Sequence, residues 1–215
     1  MSNDVLNIAE LQTLMAEGLK SSAHGLSEDR QQKLLQYIKL LDKWNKTYNL
    51  TAVRTPEKML GLHILDSLSV LPFINSASVL DVGTGAGLPG IPLAIALPGV
   101  NITMLDSLQK KVTFVRQAIS ELALENAKIV CNRVEQFQAP KQFEIVISRA
   151  FAELGDFVKA AAHLVAAQGR MLAMKGVYPY DEIARLPETL KLEKVIELTV
   201  PQVVGKRHLV ILRKA

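Results

Sequence analysis

The stretch "VLDVGTGAGLPGIP", Val79 to Pro92, decides how the rest of the chain is read. A short apolar run, "SVLDVG", ends in closely spaced glycines and gives way to "GIPLAIAL", whose spacing suits a helix. A strand that turns this sharply into a helix needs positive φ angles and close backbone approach, which a Cβ obstructs. The turn also aims backbone amides and the helix N-terminus at whatever binds outside the carboxyl end of the strand.

Working outward from this loop, apolar strands and amphipathic helices alternate. "NITMLDS" reads as strand, "QKKVTFVRQAISELAL" as helix, "AKIVCNR" and "FEIVISRA" as strands. "ELGDFVKAAAHLVA" reads as helix, "GRMLAMKG" as strand and "YDEIARLPETL" as helix. Such alternation predicts a parallel sheet covered on both faces. "KVIELTVPQ" and "RHLVILRK" break the rhythm. Too little chain separates them for a helical crossover, so they are expected to pair antiparallel at the sheet's edge.

Upstream, residues 1–75 read as a helical region ahead of an α/β domain at 76–215. Val5, Ile8, Leu11, Met15 and Leu19 fall at helical spacing before a polar break at Gly25. Ser27, followed by Glu28 and Asp29, suits an N-cap for a helix carrying Leu34, Leu35, Ile38, Leu41 and Trp44 on one side. Thr55-Pro56-Glu57 then suits a cap with proline at the first helical position, and His63 and Asp66 lie one turn apart on the helix it opens.

Composition narrows the setting. The 215 residues are 49% hydrophobic and carry 25 Lys+Arg against 21 Asp+Glu, a net charge of +4 that permits a nucleic-acid partner without demanding one. Cys131, the single cysteine, rules out an internal disulfide and a cysteine-based zinc site. Inside a strand it reads as a small buried hydrophobe. No apolar stretch approaches the ~20 residues of a membrane span, and the N-terminus lacks the pattern of a secretory peptide. The expectation is a cytoplasmic protein with no metal site and no obligate protein partner.

Two templates overlap on the loop. Gly85-Ala86-Gly87-Leu88-Pro89-Gly90 satisfies the dinucleotide pattern G-x-G-x-x-G, which alone is weak. Asp81-Val82-Gly83-Thr84-Gly85-Ala86-Gly87 satisfies the D-x-G-x-G-x-G pattern of enzymes that bind S-adenosylmethionine. Asp106 closes the second strand, where an acid can accept hydrogen bonds from ribose hydroxyls, but either ligand offers a ribose and a helix cap is the alternative role. Asp81 discriminates. Near the loop its carboxylate would repel a pyrophosphate and attract a sulfonium and an α-ammonium. The reversed last strand points the same way, and no Tyr-x-x-x-Lys pair of a short-chain dehydrogenase is present.

"LDVGTGAGLPGIPLAI", "LDSLQKKVTF", "NRVEQF", "VISRAF", "MKG" and "RHLVIL", with "WNKTYNLTAV" and "HILDSL" upstream, together resemble the bacterial small-subunit ribosomal RNA guanine-N7 methyltransferases, historically called glucose-inhibited division protein B. The resemblance runs from about residue 30 to 213. It implies a class I S-adenosylmethionine-dependent methyltransferase fold, α/β and Rossmann-like, with seven strands, mostly parallel with an antiparallel last strand, plus the N-terminal helical extension. It implies S-adenosyl-L-methionine as donor and 16S rRNA or the small ribosomal subunit as partner, with guanine 527 in the usual rRNA numbering as acceptor. Donor contacts carried over by position fall on Gly83, Leu88, Val134, Glu135 and Arg149. Asp81, Gly85, Gly87 and Asp106 join them from the loop reading.

The acceptor chemistry is constrained by what is missing. The Asn/Asp-Pro-Pro-aromatic loop of exocyclic-amine methylation is replaced by "SRAF". Guanine N7 carries an unprotonated lone pair and can attack the sulfonium methyl directly, so no general base is expected and no catalytic residue is nominated. RNA contact is expected from Arg149, Lys175, Lys110, Lys111 and the Lys206-Arg207-His208 cluster, with solvated surface as the alternative for Lys110 and Lys111. The rival classes are a non-catalytic RNA-binding or assembly factor and an NAD-dependent oxidoreductase.

Overall fold

The computed structural model describes residues 8–20, 25–187 and 189–214. Val5, expected on the first helix, lies outside them. Two helices open the described chain, α1 (Ile8–Lys20) and α2 (Glu28–Tyr48). α3 (Pro56–Met59) continues through a π-helical turn, Leu60–Leu65, into α4 (Asp66–Leu68). Ser27 and Thr55 occupy the expected N-cap positions of α2 and α3, but neither side chain makes a capping hydrogen bond.

Seven strands follow: β1 (Ser78–Val82), β2 (Asn101–Asp106), β3 (Ala127–Cys131), β4 (Phe143–Ser148), β5 (Val165–Lys175), β6 (Leu190–Leu198) and β7 (Arg207–Lys214). Between them run α5 (Gly90–Ala96), α6 (Gln109–Glu121), α7 (Leu154–Ala161) and the short α8 (Tyr180–Ala184). One sheet holds them in the order β3-β2-β1-β4-β5-β7-β6. The first five are parallel, and β7 runs antiparallel to both β5 and β6. The expected hairpin forms, and its second strand inserts between β5 and β6. β6 therefore points the same way as β5 and brings its carboxyl end to the same edge.

Strand alternation divides the core between two faces. Val79, Ile145, Ile147, Leu172 and Ile211 join the cluster that also holds Leu34, Ile38, Leu60 and Ile64, so α1 to α6 and one face of the sheet share a core. Leu80, Val82, Val146, Met171 and Val210 face the other way, against Leu154, Phe157 and Val158 of α7. The N-terminal helices are thus packed over the sheet and their ends reach its carboxyl edge.

Several boundaries depart from the sequence reading. β5 begins at Val165, within the stretch read as helix, and its register against β4 shifts near Gly169. A Cβ on Gly169 would stand 2.9 Å from the Phe143 and Glu144 carbonyl oxygens, so glycine permits the close strand approach. α8 stops at Ala184, two residues before Leu186-Pro187, where the pre-proline position disfavours helix. Cys131 is exposed rather than buried, because β3 is one of the two edge strands and the residue sits at its end.

Candidate functional site at the carboxyl edge of the sheet

The glycine loop leaves β1 through three left-handed positions, Gly83 (φ 67°), Gly85 (φ 61°) and Gly87 (φ 91°). At Gly83 the constraint is also one of space, since a Cβ there would meet the Ala150 Cβ at 2.7 Å. Two carboxylates hold the turn. Asp81 lies fully buried beneath it, accepting the Thr84 hydroxyl at 2.5 Å and the Gly90 amide at 2.8 Å through Oδ2. Burial pushes its pKa up to about 6 against the opposing pull of those two hydrogen bonds, and Oδ1 has no partner. Asp106 accepts the Gly85 amide through Oδ2 and the Leu108 amide through Oδ1, both at 2.9 Å. From α2, the buried Tyr37 hydroxyl donates to the Ala86 carbonyl at 2.6 Å.

Three hollows open along this edge. The first, about 330 Å³, is lined by Gly83, Asp106, Leu108, Lys111, Val134 and Glu135, among others. The second, about 160 Å³, shares Gly83 and Ala150 with the first and adds Gly85, Leu88, Thr51 and Arg149. The third, about 370 Å³, shares Arg149 with the second and is lined by His63, Asp66, Lys175, Arg207 and His208. A continuous path of walls therefore runs from the β2–β3 side, over the loop, to the β5–β7 side.

The third hollow is assembled from distant parts of the chain. Asp66, only 4% exposed, accepts Arg149 Nη1 at 2.9 Å and Arg207 Nε at 3.2 Å. Arg149 Nη1 also donates to the Leu62 carbonyl at 3.0 Å. His63 and Asp66 are both buried, and they do not pair with each other, the alternative that their spacing left open. The π turn, in which the Asp66 amide reaches Gly61, changes the phase of the helix, and His63 Nε2 instead meets Thr51 Oγ1 at 2.8 Å. Burial, then the Arg149 charge, lowers the His63 pKa to about 4. His63 Nδ1 and His208 Nδ1 are both buried without a hydrogen-bond partner.

The expected site residues divide among these hollows. Gly83, Asp106, Val134 and Glu135 line the first; Gly83, Gly85, Leu88 and Arg149 line the second. Asp81 and Gly87 line neither, and the Asp81 carboxylate is turned under the loop rather than towards a ligand. Asp106 and Glu135 are the acids at the first hollow, and Asp106 also caps the turn into α6 through Leu108. Lys175, expected to meet RNA, is committed inside the protein: its ammonium donates to Glu182 at 2.7 Å and to the Ala152 carbonyl. Tyr37, Thr51, Leu108 and Phe151 were not singled out in the sequence. The one available signal was Tyr37, a lone hydroxyl on the apolar face of α2 that would need a buried partner.

Known proteins place the chain. The family model described as rRNA small subunit methyltransferase G matches residues 30–210. The ribosomal RNA small subunit methyltransferase G of Nitrosospira multiformis is 48% identical over 210 residues, covering 94% of this chain and 97% of that one. The Escherichia coli protein of the same name is 50% identical over 195 residues, covering 91% and 94%. Among solved structures, a SAM-dependent methyltransferase from Aquifex aeolicus superposes with a TM-score of 0.58 at 18% identity, covering 83% of this chain and 97% of that one. TrmN from Thermus thermophilus gives 0.55 at 17% identity, covering 69% and 48%. At such identities the structures show the fold alone, that of the class I S-adenosylmethionine-dependent methyltransferases. With that sheet, and with relatives this similar along nearly the whole length, the chain belongs to the rRNA small subunit methyltransferase G family.

Proposed function

We propose that the protein transfers a methyl group from S-adenosyl-L-methionine to N7 of one guanine of 16S rRNA, by direct in-line attack and without a general base. The donor is S-adenosyl-L-methionine, and family membership removes the ground for an NAD-dependent reading. One observation carries the proposal: two hollows of different chemistry lie on either side of the small hollow over the glycine loop, which shares Gly83 and Ala150 with the first and Arg149 with the third.

The first hollow fits an adenosine-bearing ligand. Its volume lies at the lower end of the roughly 300–1,000 Å³ usual for small-molecule sites. Asp106 presents a carboxylate on the wall, each of whose oxygens has a lone pair left after its one amide. Leu108, Val134 and Phe151 supply apolar surface, and Glu135 an acceptor suited to an exocyclic amine. Gly83, Gly85, Leu88 and Arg149 then border the methionine end. When bound, the donor supplies an electrophilic methyl on a sulfonium.

The chain's own residues have three tasks. They hold guanine N7 in line, exclude water, and tolerate one positive charge that passes from sulfur to the purine ring without changing the total. In the third hollow, His63 and His208 set imidazole rings in the wall, and Asp66 lies between two guanidinium groups. His63 is neutral at pH 7, so it adds no charge to that wall.

Incubation with methyl-labelled donor and either unmodified 16S RNA or small subunits from a methylation-deficient strain tests the reading, with the modified base then mapped. One labelled guanine, modified at N7, is the expected result; label on another atom, or none, overturns it. A His63→Gln, Asp66→Asn or Glu135→Gln protein that lost all turnover yet kept full donor and RNA binding would defeat the base-free mechanism.

A further inference from the structure

Among the described residues, seven large apolar side chains remain exposed, and six of them gather at the carboxyl edge of the sheet. Tyr48 ends α2, Leu108 precedes α6, Val177, Tyr178 and Tyr180 follow β5, and Val204 sits in the β6–β7 turn. Exposed apolar groups scattered singly need no explanation, but a concentration on one edge marks an interaction surface.

The most organised part of it is the pair after β5. The Tyr178 and Tyr180 rings lie 4.2 Å apart between centroids, tilted by 34°, and Tyr180 is 73% exposed. Tyr178 in turn meets His208 edge-on, at 5.6 Å and 82°. His208 lines the third hollow, so the two rings extend its wall outward into solvent. Lys206 and Arg207 adjoin His208 in sequence. The Lys206 ammonium is 3.4 Å from Glu197, yet its side chain stays 70% exposed. Exposed rings that lose little freedom on binding, set beside cations, are what unpaired nucleotides use: the base stacks and the phosphate finds a charge.

We propose that the Tyr178–Tyr180 pair is a stacking platform for an unpaired RNA base that neighbours the base entering the third hollow. The inference rests on the rRNA-methylating reading and adds a contact outside the reacting nucleotide. It assigns Tyr180 a face-on contact through its ring, so the hydroxyl is dispensable. It assigns Lys206 a separate, electrostatic contact to the adjoining phosphate.

The test compares wild type with Tyr180→Ala, Tyr180→Phe, Tyr178→Ala/Tyr180→Ala and Lys206→Gln proteins. It uses methyl transfer to unmodified 16S RNA, and binding of a labelled single-stranded oligoribonucleotide followed by anisotropy. Tyr180→Ala should raise KM for RNA about 5- to 140-fold, the range of one lost base–aromatic stack, with kcat and donor affinity unchanged. Tyr180→Phe should restore wild-type behaviour. The slope of log affinity against log salt should be unaltered in Tyr180→Ala and shallower by about 0.7 in Lys206→Gln.

An unchanged KM for the double variant overturns the proposal. So does a joint fall in kcat, donor affinity and thermal stability, because that pattern marks a structural pair. If wild type transfers no methyl but still binds the oligoribonucleotide in a Tyr180-dependent way, the catalytic reading fails while the platform stands. If that binding is also indifferent to Tyr180, the platform falls with it.

Discussion

The glycine-loop hollow and the arginine–histidine hollow are joined by the small hollow between them, which shares Gly83 and Ala150 with one and Arg149 with the other, and they are built by opposite strategies. The first is local. The loop that borders it, the loop's amides and the two acids that hold the turn come from residues 81–108, with the rest of the wall from residues 132–135 and 150–151, and the two acids are satisfied mainly by backbone. The second is assembled across the chain, with Asp66 joined to Arg149 and Arg207 over 83 and 141 residues. A local turn is rigid because its backbone has few alternatives. A charge cluster from three distant elements is held only while its charges balance, which makes it the more responsive of the two.

Acid should separate them most strongly. His63 has a folded pKa near 4 against an ordinary 6.5, so the folded state binds fewer protons than the unfolded between those values. Its contribution is full above pH 6.5 and is lost as pH falls towards 4. Asp81 is reversed, with a folded pKa near 6 against 3.8, so the folded state binds more protons and stability from this group rises as pH falls from 6 towards 3.8. At about 1.4 kcal/mol per unit, each contributes about 3 kcal/mol across its window. Urea titrations at several pH values should therefore show wild type losing stability relative to His63→Gln on acidification and gaining it relative to Asp81→Asn. Curves of the same slope for both variants would erase the distinction.

Next in size, Gly83→Ala attacks the local hollow. A side chain at φ 67° costs about 1–2 kcal/mol, and the 2.7 Å approach to Ala150 adds overpacking of about 1–3 kcal/mol. Calorimetry should find donor affinity reduced at least about tenfold, with single-stranded RNA binding nearly intact. Asp66→Asn attacks the assembled hollow. Full burial of such a bridge would put the loss at about 3–5 kcal/mol, and partial exposure of both arginines brings it to about 2–3 kcal/mol. Here kcat/KM for RNA should fall much further than donor affinity. If the two substitutions give the same pattern, the hollows are not separable in function.

The same contrast explains what the sequence disclosed. Strand–loop–helix order, the reversed terminal strand and the position of Asp106 are local or periodic features, so spacing reveals them. Asp81 points to the loop as its position suggests, but its carboxylate is taken up by the turn itself. Val79 shares the sheet face that α5 covers, and alternation puts Asp81 on that face too, beneath the N-terminus of α5. No spacing rule shows that the helix carrying His63 and Asp66 winds as π between Leu60 and Leu65, which rotates the two side chains onto different partners. Lys175 looked free because Glu182, which holds it, follows after a loop whose return path only the fold shows. Exposure of Cys131 follows from β3 being at the edge, and strand order is a property of the whole sheet.

The smallest effect concerns the bond that ties α2 to the local hollow. Tyr37 is buried among apolar neighbours, and burial holds its phenol protonated well above the ordinary range. Its hydroxyl therefore serves as a donor to the Ala86 carbonyl at every pH the protein withstands. Tyr37→Phe keeps the ring packed near Phe114 and removes only the donor, leaving one buried carbonyl without this partner, at a cost of about 1 kcal/mol. If α2 helps to set the loop, donor affinity should weaken a few-fold along with the lost stability, and RNA binding should not change. If stability falls while donor affinity is untouched, the loop is shaped by Asp81, Asp106 and its glycines alone. The helices before residue 75 would then act on the donor side only as packing, and their functional reach would be confined to the hollow that holds His63 and Asp66.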